Sequence, residues 1–113
     1  MQRNEYNGWT NYETWAVNLW MNNDEGSSAR YDDLARDLLS EDDNPEDEVD
    51  RINTLADILK DDHEEGAEAC GTSGVYADLI GAALSEVNWY EIAEYLIEAA
   101  REYVPYASKV EEA

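Results

Sequence analysis

Cysteine, histidine and lysine are nearly absent from this chain, and each scarcity closes a route to function. Cys70 is the only cysteine, so no disulfide can form within the chain, and a reducing compartment is implied. His63 is the only histidine. The string "HEEGA" that it opens places Ala67 where the zinc motif H-E-x-x-H needs its second ligand. One histidine and one cysteine also fall short of the roughly four N or S ligands of a zinc site. His63 and Cys70 could in principle act as base and nucleophile, but a free cysteine is more often a small buried hydrophobe. The chain has no Gly-rich phosphate loop and no Ser-centred nucleophile motif. "DDNPEDEVD" has the acids of a calcium loop without the glycine of its sharp turn, and Pro45 suits a helix start better. The expectation is a non-enzyme with no catalytic residues, no cofactor and no metal.

Long apolar runs are missing as well. No stretch approaches the roughly 20 residues of a membrane span. Neither end has a basic segment leading into an apolar one, as a signal peptide would. A cytoplasmic protein without membrane contact is therefore expected. Its 113 residues suit one domain spanning 1–113.

Basic residues are few and acidic ones abundant. Twenty-eight Asp and Glu face seven Lys and Arg, a formal charge of −21. Such a field repels nucleic acid and attracts cationic surfaces, so direct binding of DNA or RNA is not expected. The acids concentrate between positions 32 and 68, where sixteen occur and only Arg36, Arg51 and Lys60 interrupt them. Within this run Asp32, Asp33, Asp37, Glu41, Asp42, Asp43, Glu46, Asp47, Glu48, Asp50, Asp57, Asp61 and Asp62 are the candidate partner-binding residues. Duplex DNA carries about one charge per 1.7 Å, so sixteen charges match ~27 Å of it. A rigid helical body bearing them could fill the basic groove of a nucleic-acid-binding protein. Two plainer readings compete: a solvated face that keeps the protein dispersed, and adaptation to high salt, which the two lysines (Lys60 and Lys109) would also fit.

Five helices are predicted, and no convincing strand. Thr10 and Glu13 read as a capping box before a first helix running to about Met21, with Tyr12, Trp15, Ala16 and Leu19 on one face. Ser27 or Ser28 would cap a second helix with a stripe of Tyr31, Leu34, Ala35, Leu38 and Leu39. Asn44 as cap and Pro45 in the first turn open a third, carrying Val49, Ile52, Leu55, Ala56 and Leu59. "DDHEEGAEACGTSG" reads as a glycine-punctuated loop. A fourth helix from about Val75 to Ser85 would turn Tyr76, Leu79, Ile80, Ala83 and Leu84 inward. The fifth starts at a second capping pattern, Asn88 to Glu91. It carries Ile92, Ala93, Leu96, Ile97, Ala100 and Tyr103 and stops at Pro105. The fold class is all-α, with a minor β or irregular piece allowed before Thr10 or around Cys70.

Trp9, Trp15 and Trp20 crowd into twelve residues with Tyr6 and Tyr12. Trp15 is expected in the core, with Trp89 against it. Trp9 and Trp20 fall off that face and are candidates for an exposed patch, open to a partner or to self-association as a homodimer. The strings "NGWTNYETWAVNLWMNND" and "VNWYEIAEYLIE" resemble a group of small, largely uncharacterised proteins of phages, plasmids and their bacterial or archaeal hosts. That resemblance covers the first helix and echoes in the fifth. It implies a mobile-element setting, and hence a host-cell cytoplasm, without an activity. By composition and size the chain is also similar to acidic DNA-mimic inhibitors of restriction or CRISPR systems. The leading expectation is thus an inhibitor that occupies the basic groove of a host defence protein. The alternative is a salt-adapted or acidic adaptor working through its aromatic patch.

Overall fold

The computed structural model describes residues 5–69, 71 and 73–112, with side chains up to Glu102. Five α-helices follow in order: α1 Tyr12–Asn23, α2 Glu25–Glu41, α3 Glu48–Ala69, α4 Gly74–Ser85 and α5 Trp89–Glu112. A single 3-10 turn, Pro45–Asp47, leads into α3. Among the described residues the only β feature is an isolated bridge between Tyr6 and Trp9. It closes an Asn7–Gly8 turn in which both residues have positive φ (48° and 89°), the Asn-Gly pairing that a two-residue hairpin favours.

The core is built on α5. Trp89, Ile92, Ala93, Leu96, Ile97 and Ala100 are all buried and recur at helical spacing, giving α5 one continuous inward face. It packs chiefly on α3, through Ile52, Leu55, Ala56 and Leu59, and on α2, through Tyr31, Ala35 and Leu39. Leu34 and Leu38 are half-buried beside them. Apart from Tyr103, whose side chain lies outside the described residues, these are the predicted stripes, with one exception. Val49 is 57% exposed because it precedes the core by a turn, and the buried place nearby goes to Arg51. That guanidinium donates to the Asp42 carbonyl (2.5 Å) and to Glu48 (2.7 Å), while Arg101 of α5 reaches the same Glu48 oxygen. The α2–α3 connection is thereby held to α5.

Several helix ends differ from the sequence expectation. Asn11, not Thr10, caps α1, accepting from the Thr14 amide at 2.9 Å. Asp24, not Ser27 or Ser28, caps α2, taking both the amide and the hydroxyl of Ser27. Asn44 and Pro45, expected to open the third α-helix itself, start the 3-10 turn that leads into it at Glu48. α3 runs nine residues into the expected loop, through Asp61, His63 and Gly66 to Ala69. Acidic and alanine residues sustain it there, and one interior glycine costs only ~1 kcal/mol. Gly71, with φ 70° and its amide on the Glu68 carbonyl, turns the chain beyond the helix end. α5 continues past Pro105, which removes one backbone donor and crowds a carbonyl but does not have to end a helix.

Two inward-facing assignments are also corrected. α1 buries Thr14, Asn18 and Met21, not its aromatic residues. α4 buries nothing: Tyr76 and Leu79 are 68% and 59% exposed, Ala83 is exposed, and Ile80 and Leu84 are only half-buried. Among the described residues its main contact is with α3, and Leu84 also packs at the core's edge.

Candidate protein-binding surfaces

The α3 helix separates its apolar and acidic residues around its axis. Opposite the buried Ile52–Leu59 stripe, Asp50, Asp57, Asp61, Glu64 and Glu68 follow at helical spacing, and all are exposed. With eighteen rises of about 1.5 Å between the first and the last, they span ~27 Å. None of the five has an ion-pair partner among the described residues. Glu64 and Glu68 belong to the acidic run but not to the named candidates, and they join this row because α3 continues where a loop was expected. A helical continuation of the 3.6-residue period past Asp62 was the available signal.

The remaining candidates divide into paired and unpaired groups. Asp62 accepts from Arg30 (2.9 Å) and from the Tyr31 hydroxyl (2.9 Å). Asp33 lies 3.7 Å from Arg36, Asp42 lies 3.8 Å from Arg51, and Glu48 is shared by Arg51 and Arg101. These four carboxylates are partly neutralised within the chain. Asp32 is half-buried on α2, with Asp37 and Glu41 exposed farther along it. Asp43 and Glu46 are exposed in the connection to α3. There Asp47 hydrogen-bonds Asp42, which lifts Asp47 above the usual carboxylate range. The same bond, with the Asn44 amide, holds Asp42 below it. The candidates therefore form an α3 row, a loop cluster and the outer edge of α2.

The aromatic residues form a different surface. The Asn7–Gly8 turn folds Tyr6 back onto α1, where its ring centroid lies 5.2 Å from Tyr12 and 4.7 Å from Trp15. Tyr12 and Trp15 are 5.5 Å apart. Trp15 is thus half-buried in a surface cluster and not in the core. Leu19 (37%) continues this face along α1, while Trp20 (71%) stands exposed to one side of it, beside Asp24 and Ser27. Trp9 packs at the core's edge with its ring 5.6 Å from Tyr95, so it and Trp20 do not share one patch. Trp89 meets His63 (5.1 Å) instead of Trp15.

α1 can present aromatics outward because its polar face is engaged by α5. Thr14, fully buried, donates its hydroxyl to Asn11 Oδ1 (2.6 Å) and accepts the Asn88 amide (2.9 Å). The Thr10 amide donates to the Glu91 carboxylate (3.0 Å), and Asn11 Nδ2 donates to the Glu86 carbonyl (2.6 Å). Asn88 Oδ1 accepts from the Glu91 amide, as a cap should. Each predicted capping box is thus opened, and the two helix starts cap one another.

A third surface lies between the end of α3 and α4. Ala67, Ala77, Ile80, Gly81 and Leu84 line a trough of about 290 Å³ edged by Glu64 and Glu68. Its sequence signal was α4 itself, whose twelve residues are apolar all round and carry one charge, Asp78. His63 is part of the packing. Its ring lies between Tyr31 and Trp89, with Nδ1 2.7 Å from the Leu59 carbonyl. Cys70, considered with it as a base–nucleophile pair, lies outside the described residues.

No helix among the described residues is long and apolar enough to cross a membrane. The chain belongs to a family of unknown function (DUF7249), whose model matches residues 2–100. No curated protein and no solved structure matches it.

Proposed function

We propose that the protein is a non-catalytic, stoichiometric binding protein that occupies the nucleic-acid groove of a basic partner with its α3 face. The observation that supports this reading most is the row Asp50, Asp57, Asp61, Glu64 and Glu68 along one side of one helix, without an ion-pair partner among the described residues. Its ~27 Å length carries fewer charges than the same length of duplex. The exposed acids of the α2–α3 connection add to the field at its start. Like charges on one helix repel by a few tenths of a kcal/mol per pair. A basic groove would relieve that repulsion and gain from counterion release. In a phage or plasmid setting the fitting partner is a host defence protein of the restriction or CRISPR type.

A second reading makes α1 the contact surface, because Tyr12, Leu19 and Trp20 are held outward by a hydrogen-bonded polar face beneath them. One experiment separates the two. The protein is immobilised in host lysate, and bound material is eluted with short duplex DNA, then with salt. Mimicry predicts release by both, and loss of capture when Asp50, Asp57 and Asp61 are changed to Lys. A complex that survives molar salt and excess duplex, and is lost with Trp20→Ala, would assign the function to α1 instead.

A further inference from the structure

We infer that the α3–α4 trough is a docking site for an amphipathic, lysine- or arginine-rich helix of the partner protein. This deepens the proposed function and rests on its premise that the partner is basic. A helix that is apolar all round is ordinarily buried, yet α4 contributes no buried residue. The trough beside it has an apolar floor (Ala67, Ala77, Ile80, Gly81 and Leu84) and a carboxylate edge, Glu64 and Glu68. Both edge residues lie on the unpaired α3 row. An occupant must therefore be apolar toward the floor and cationic toward α3, which is the pattern of a helix laid into a groove.

Gly81 points the same way. It sits in mid-helix, where glycine is unfavourable relative to alanine. A Cβ built there meets nothing within 4 Å, so packing inside this chain does not require its small size. Close approach by an external helix would.

A second copy of the chain is a poor occupant. It would bring another −21 charges against the same edge. Of its seven cations, Arg30, Arg36, Arg51 and Arg101 are already paired with its own carboxylates.

The test uses the full chain and three fluorescent peptides in an anisotropy titration. One has leucines at i, i+3, i+4 and i+7 with lysines elsewhere. The second is a scramble of the same composition, and the third replaces lysine by glutamate. The inference requires the first to bind about tenfold more tightly than the scramble, the effect of one filled apolar anchor. The glutamate peptide should not bind. Gly81→Leu, which the open space and the helix both tolerate, should erase the advantage and leave the scramble's affinity unchanged. Equal binding of the two lysine peptides would overturn the trough and leave the electrostatic reading standing. An advantage that persists in Gly81→Leu would move the site elsewhere. Failure of both lysine peptides at low salt would sink the basic-partner premise itself. Sedimentation showing a dimer that Gly81→Leu makes monomeric would assign the trough to a second copy.

Discussion

Helices α4 and α5 are close in the chain and opposite in fate. α5 interleaves charges (Glu91, Glu94, Glu98 and Arg101) with its apolar residues and buries a full face. α4 is much the more apolar of the two and buries none. The difference lies in where the apolar residues fall. On α5 they make one stripe that two helices can cover together. On α4 they surround the axis, so one main neighbour, α3, leaves most of them exposed. Periodicity with a partner in place decides burial, and apolar content alone does not.

The largest expected effect breaks this contrast at its core. Ile97 is fully buried on α5, and Ile97→Ala should destabilise by about 2–5 kcal/mol, the transfer and cavity terms together. Leu79→Ala on α4 should stay within about 0.5 kcal/mol. Urea unfolding of both variants measures the difference directly. Equal losses would mean that α4 is packed against something in solution.

Next comes the clamp between α2 and α3. Burial, and secondarily the Asp62 carboxylate to which it donates, pushes the Tyr31 hydroxyl up to about 12 from 10.0. A raised pKa stabilises the fold fully below the unfolded value. That contribution is lost as pH rises from about 10 through about 12. The loss should reach at most roughly 2–3 kcal/mol, reduced by solvent screening at the part-buried hydroxyl, and Tyr31→Phe should remove this step from the stability–pH curve. Acid acts through Asp24, whose carboxylate is held below its ordinary value by the Ser27 hydroxyl and amide. Its contribution is present at neutral pH and fades as pH falls through the carboxylate range.

Thr14 tests the other end of α5. Thr14→Val keeps the shape but leaves the Asn88 amide without its acceptor. Stranding that group should cost about 1–3 kcal/mol. Because the junction also orients α1, the aromatic face should loosen with it. Tryptophan emission of the variant, compared with Leu79→Ala, would register that change.

How much of this was legible beforehand follows the same division. The stripes of α2, α3 and α5 were readable because Tyr31–Ala35–Leu39, Ile52–Leu55–Leu59 and Ile92–Leu96–Ile97 repeat at helical spacing. Asn44–Pro45 was readable as a start because both residues act locally. The inward turn of Thr14 was not, because it depends on Asn88, with Asn11 reaching Glu86 beside it, some 70 residues away. The acidic run was plain in the composition. Its division into compensated and uncompensated carboxylates was not, since Arg30 finds Asp62 and Arg101 finds Glu48 only once the helices pack. Glu64 and Glu68 were misplaced because Gly66 was weighted as a breaker, although a single glycine among good helix formers only weakens a helix.

The smallest effect is also the one that sharpens the comparison most. Gly81→Ala adds a methyl group in open space on an exposed helix, so the folded state gains no contact and suffers no clash. The gain comes from restricting the unfolded chain, about 0.4–1 kcal/mol. That gain will appear in global unfolding only if α4 unfolds together with the α5-centred core. If α4 melts separately, as a helix resting chiefly on one neighbour is free to do, the urea midpoint will not move. Amide exchange along α4 will slow instead, by up to about fivefold for 1 kcal/mol. Protection that rises in α4 alone would identify it as an independently opening unit. A shift of the global midpoint would show that its contacts with α3 already couple it to the core.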